Sequence, residues 1–91
     1  MIAEAVPAIP RGVRLRFDAV RDAWVLLAPE RAIRLDPIGH AILSEIDGRR
    51  SLGAIAATLA DRYGAPPDEV TRDCAEFVAA LVERRILDIA P

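Results

Sequence analysis

The sequence predicts an α+β domain in which a small three-stranded antiparallel sheet is followed by three helices. Three observations lead there. Hydrophobicity alternates with a period of two between Val13 and Leu35, the period switches to a helical one at Asp36, and the helical stretch is broken at Gly48 and again at Gly64. A chain of 91 residues, 53% hydrophobic and 29% charged, is enough for one globular domain and too apolar to be disordered.

Residues 1–10 hold Pro7, Pro10 and a single charge, Glu4, and read as a flexible lead-in, because each proline fixes φ and removes a ladder donor. Val13, Leu15 and Phe17 then alternate with Arg14, Arg16 and Asp18, the pattern of a half-buried strand. Residues 19–22 serve as a reversal without the Asn-Gly signal of a tight hairpin, Trp24 to Leu27 form a second strand, and Pro29 ends it. A third strand puts Ile33 and Leu35 on one face and Ala32 and Arg34 on the other. Asp36 is placed to cap a first helix with Pro37 at its first position, Ile38, Ile42 and Ile46 on its apolar stripe, and an end near Gly48. Ser51 caps the second, with Leu52, Ile55, Leu59 and Tyr63 at helical spacing and Gly64 as a left-handed stop. Pro66 and Pro67 open the third and longest helix, whose stripe of Val70, Cys74, Phe77, Val78, Leu81 and Val82 is wider than a single contact needs.

The side-chain inventory limits the chemistry. All twelve basic residues are arginine, asparagine and glutamine are absent, and there is one histidine and one cysteine. Schiff-base lysine chemistry, an intrachain disulfide and a Cys/His zinc site are thereby excluded, and no cofactor or metal is expected. The single thiol points to a reducing compartment. With no signal peptide pattern and no apolar run near the roughly 18 residues of a membrane span, the chain reads as soluble, cytoplasmic and without a membrane partner. Asp36, His40 and Ser44 share one helical face, but successive turns hold side chains parallel, without the base-to-nucleophile approach or oxyanion donors that catalysis needs. Cys74, flanked by Asp73 and Glu76, reads as a buried structural thiol. The five glycines form neither a dinucleotide fingerprint nor a phosphate loop.

A small sheet with three helices is winged helix-turn-helix-like, so a DNA-binding regulator is the alternative reading. The charges oppose it. From Asp68 to Arg85 the chain holds five acidic residues and three arginines, which repels phosphates, and no nucleic acid partner is expected. Residues 11–36 carry six arginines against four acidic residues, so a mildly basic sheet lies beside an acidic helix. The third strand ends the meander and leaves a row of backbone N–H and C=O groups free to pair with another chain.

Arg11-Gly-Val-Arg-Leu-Arg, Leu27-Ala-Pro-Glu30, Leu35-Asp through Ile42-Leu with Asp47-Gly48, and Asp73 with Phe77 and Leu81 closely resemble the PqqD family, over residues 10–87. The resemblance implies a non-catalytic peptide chaperone of pyrroloquinoline quinone (PQQ) biosynthesis, a RiPP recognition element. Residues 11–88 would form a single peptide-recognition domain that binds a PqqA-like ribosomally made precursor peptide and presents it to a PqqE-like radical S-adenosylmethionine (SAM) enzyme. It further implies strand addition between the third strand and the third helix, at Ala32, Ile33, Arg34 and Leu35 with Asp73, Phe77 and Leu81. Two departures stand out: Arg85 occupies a place where relatives often have glycine, and Asp88 to Pro91 match nothing in the family pattern.

Overall fold

In the computed structural model, which describes residues 1–91, the alternating segment folds as β2 (Arg14–Asp18), β3 (Ala23–Ala28) and β4 (Arg31–Leu35). It is preceded by β1 (Pro7–Ala8) and followed by α1 (Pro37–Ser44), α2 (Leu52–Tyr63), α3 (Pro67–Glu83) and β5 (Asp88–Ile89). The sheet has the order β2-β3-β4, antiparallel throughout, and its register aligns Leu15, Leu26 and Ile33 in one row and Phe17, Trp24 and Leu35 in the next. These rows face the helices, with Leu26 fully buried. The first reversal works without glycine because the Asp18 carboxylate accepts the N–H groups of Val20 and Arg21 and Asp22 takes φ 52°.

Capping chemistry sets the helices. Asp36 Oδ1 accepts the Gly39 N–H at 2.7 Å, Ser51 Oγ accepts the Ala54 N–H at 3.1 Å, and Gly64 terminates α2 at φ 62°. The first helix stops at Ser44 rather than near Gly48, and Asp47 organises the loop beyond it by accepting the N–H groups of Arg49 and Arg50. Ile38 and Tyr63, expected on apolar stripes, are 68% and 64% exposed, because each sits in a terminal turn that extends past the core. The core itself joins Leu26 to Ile42, Leu43, Leu52, Ile55 and Val78, and is sealed by Ile86 and Leu87.

The chain departs most from expectation at its N-terminal segment. Residues 1–10 are not a free tail. Ala5 and Ala3 carbonyls accept the Leu52 and Gly53 N–H groups at 2.7 and 2.8 Å, Pro7 is fully buried, and β1 pairs with β5 through Pro7 with Ile89 and Ala8 with Asp88. The physical reason is that the first turn of α2 has donors with no intrahelical partner, which an extended segment with unpaired carbonyls can satisfy. The unassigned C-terminus, Asp88 to Pro91, is the other half of that pairing.

Arg85 also acquires a reason. It follows α3 at φ 60°, with its N–H donating to Val82 O and the Ile86 N–H to Leu81 O, both at 2.9 Å, which is a Schellman ending. Glycine reaches that backbone conformation without strain, whereas arginine does so at a cost.

Candidate functional site

The site is built from the β4 margin and the face of α3 beside it. β4 pairs only with β3, so its other edge carries unpaired backbone groups. Alternation turns Arg31, Ile33 and Leu35 toward the helices and Ala32 and Arg34 to the opposite face of the sheet. Ile33, Leu35 and Phe77 are half-buried and pack against the same core, while Leu81 is nearly buried and forms floor rather than wall. Phe77 lies over the first turn of α1, close enough to Gly39 that a β-carbon there would stand 3.1 Å from the ring.

The two ends of this groove differ. At one, Arg31 reaches across and donates Nη2–H to the Arg84 carbonyl at 3.0 Å, next to Arg85. At the other, Asp73 is exposed on the rim of a largely apolar cavity of about 350 Å³ between the three helices, lined by Ile38, Tyr63, Val70 and Cys74 among others. Asp73 therefore sits one turn from Phe77 on α3, on the rim of the helical cavity. Arg31, Gly39 and the helical cavity were not singled out by sequence reasoning. Arg31 could have been found from alternation, since it shares the face of Ile33, but its partner lies 53 residues away.

The candidate reactive groups are engaged elsewhere. His40 is not a free surface side chain: its ring stacks on Trp24, centroids 4.2 Å apart and 16° from parallel. Asp36 caps α1, and Ser44 Oγ donates to the His40 carbonyl rather than approaching the imidazole, so no Asp-His-Ser relay is assembled. Burial, with a smaller contribution from the Asp73 charge, pushes the Cys74 thiol above its ordinary value and away from reactivity. No helix is long and apolar enough to cross a membrane.

A winged helix-turn-helix-like domain with a free strand margin and an apolar helical wall suits strand addition, one of the ways in which domains recognise extended peptides. The family model "Coenzyme PQQ synthesis protein D (PqqD)" matches residues 23–87, and the chain belongs to the PqqD family. It is 47% identical over 85 residues to the PqqA binding protein of Rhizobium meliloti, covering 93% of this chain and 87% of that one. The solution structure of the PqqD truncation of Methylobacterium extorquens PqqCD, described as a stand-alone RiPP recognition element, superposes with a TM-score of 0.79 at 46% identity. That match covers 91% of this chain and 88% of the other. TbiB1 in complex with the TbiA(beta) leader peptide shares the fold at 24% identity, with a TM-score of 0.75 over 89% of this chain and 94% of its own.

Proposed function

We propose that this protein is a non-catalytic, cytoplasmic peptide chaperone that binds the PqqA precursor peptide of PQQ biosynthesis by strand addition to β4 and presents it to a radical SAM enzyme. The observation that carries the reading is the unpaired margin of β4, whose Ile33 and Leu35 pack on the same core as Phe77 of α3. The name of the Rhizobium relative, a PqqA binding protein, and the leader peptide bound to TbiB1 support the choice of ligand. Ile33, Leu35 and Phe77 would receive the apolar side chains of the added strand, Ala32 and Arg34 would share its outer face, and Asp73 and Leu81 would border and floor the groove.

The energetics favour a releasable complex. An added strand of about five residues gains about four hydrogen bonds worth roughly 0.5 to 1.5 kcal/mol net each and two anchored side chains at roughly 1.5 to 3 each. Ordering the peptide costs about 1 to 2 kcal/mol per residue, which nearly cancels that gain. Affinity is then decided by the anchors and by charge contacts at the groove ends, and a carrier must let go of its cargo.

Proline substitution tests the mode. Successive N–H groups on β4 point to alternate edges, so either Ala32→Pro or Ile33→Pro removes a donor from the free margin. Peptide titration should show binding abolished in at least one of the two variants while circular dichroism remains native. Unchanged affinity in both would sink strand addition. The DNA-binding alternative meets the acid-rich face of α3 and gains nothing from the geometry.

A further inference from the structure

The sheet has an outer face that the groove does not use. Alternation places Arg14, Arg16, Val25, Leu27, Ala32 and Arg34 there, opposite the core rows. The register sets Arg16 and Arg34 on either side of Val25, and Arg14 and Ala32 on either side of Leu27. All three arginines are exposed and none takes part in an ion pair. Val25 and Leu27 are half-buried and lie outside the core cluster, flanked in the register by arginines whose stems can cover them. With strands about 4.8 Å apart, Arg16 and Arg34 stand about 10 Å from each other, a like-charge pair astride an apolar centre, and the one carboxylate that alternation puts on this face, Asp18, is already paired with Arg21.

We infer that this face docks an acidic protein surface with an apolar centre, which on the carrier reading above belongs to the radical SAM partner. The inference rests on that reading, and two arguments support it. One is charge complementarity: an apolar strip between unpaired guanidinium groups suits carboxylates around an apolar patch. The second is continuity. A peptide strand added to the free margin of β4 extends this same face, so that alternate peptide side chains lie beside Arg34. A partner seated here touches carrier and cargo together, and by linkage each raises the affinity of the other. Duplex DNA fits less well, since typical phosphate contacts number about six to ten and three arginines offer too few.

The test is the double variant Arg14→Thr/Arg16→Thr, on β2, away from β4 and α3, with threonine chosen for its strand preference. Affinities for a labelled PqqA peptide and for the radical SAM enzyme of PQQ biosynthesis are measured with and without the other ligand, at two salt concentrations. The expected result is enzyme affinity lowered roughly tenfold or more with a flatter salt dependence, peptide affinity kept within about twofold, and the enzyme contact restored by Arg14→Lys/Arg16→Lys. Unchanged enzyme affinity in the threonine variant overturns the assignment. So does wild-type protein that binds the peptide but not the enzyme, or a duplex oligonucleotide that binds wild type and is lost in the variant while the enzyme contact survives. Wild-type protein that binds the enzyme through these arginines but not the peptide would overturn the carrier reading and leave the docking face standing.

Discussion

The two places where this fold deals with an extended backbone make an instructive pair. On one side, β1 already lies along β5, held by a two-residue ladder, by the Ala3 and Ala5 carbonyls on the first turn of α2, and by Pro7 fully buried. On the other, the margin of β4 has no partner, yet it has comparable furniture: an unpaired ladder edge, apolar Ile33 and Leu35, and the Phe77 ring opposite. The first segment is tethered, so its effective concentration is high and few contacts suffice. A free peptide lacks that advantage and must recover it from anchors and charge. On the reading proposed above, the difference teaches that an open edge serves recognition where a helical wall supplies anchors. The opposite edge, β2, carries Phe17, which is 42% exposed and packs edge-on against Trp24 of its own sheet.

Two glycines let the pair be broken one side at a time. At Gly53 a β-carbon would come within 3.2 Å of Ala3 Cβ and 3.3 Å of its carbonyl oxygen. Gly53→Val should therefore push the N-terminal segment off α2 and lower stability by about 1 to 3 kcal/mol in urea denaturation, the usual cost of overpacking. Limited proteolysis within residues 1–8 should speed up, while peptide affinity stays within about twofold, since β4 and Phe77 are untouched. Gly39→Ala should do the reverse. Its β-carbon would stand 3.1 Å from the Phe77 ring and 3.3 Å from Asp36 Oδ1, so the ring at the groove must shift by a few tenths of an ångström. A threefold to tenfold loss of peptide affinity, on the order of 1 kcal/mol, is expected by titration with the N-terminal segment as protease-resistant as before. Equal effects of both substitutions on both readouts would mean that the two sites are one cooperative unit.

Legibility followed the range of the interactions. The alternation of Leu15, Phe17, Ile33 and Leu35, the caps Asp36 and Ser51 and the stop at Gly64 are local signals, and each sits where the sequence places it. The open margin was readable because it follows from strand order alone. The docking of residues 3–8 was not, because its partners lie near residues 52 and 88 and an extended Pro-containing segment has no periodicity to betray what it pairs with. The same distance hid the reach of Arg31 to Arg84. Ile38 and Tyr63 misled in another way: their spacing is helical, but an end turn carries its stripe past the core, and here it opens the apolar cavity between the helices.

A smaller effect is expected at the far end of α3, beside the groove's basic end. Arg85 holds a left-handed backbone at φ 60° within the Schellman ending, and its side chain is exposed with no ion-pair partner. Arg85→Gly relieves strain of about 1 kcal/mol and restores part of it as unfolded-state entropy, so a net gain of about 0.5 to 1 kcal/mol in denaturant unfolding is expected. Peptide affinity reports separately. If the positive charge at this end steers acidic peptides, the more stable variant should bind with a slower association rate at low salt.

The smallest effect concerns neither strand but the loop that joins α1 to α2, and so calibrates the others. Glu45 accepts hydrogen bonds from Arg50 at 3.0 Å and Arg62 at 3.2 Å, and chiefly the Arg50 contact holds its carboxyl below the ordinary carboxylate range. A carboxyl that is more acidic folded than unfolded gives up its proton more readily in the native state. Its contribution to stability is therefore complete above the unfolded carboxylate value and is lost as pH falls through the lower folded value. Thermal melts from neutral pH down into the acid range should show a shallower decline in Glu45→Gln than in the wild type. The difference should shrink in high salt, as expected for solvent-accessible pairs. Peptide binding at neutral pH should be the same in both, because Glu45 lies outside the groove, and a loss there would mean that the α1–α2 loop sets the position of Gly39 and Phe77.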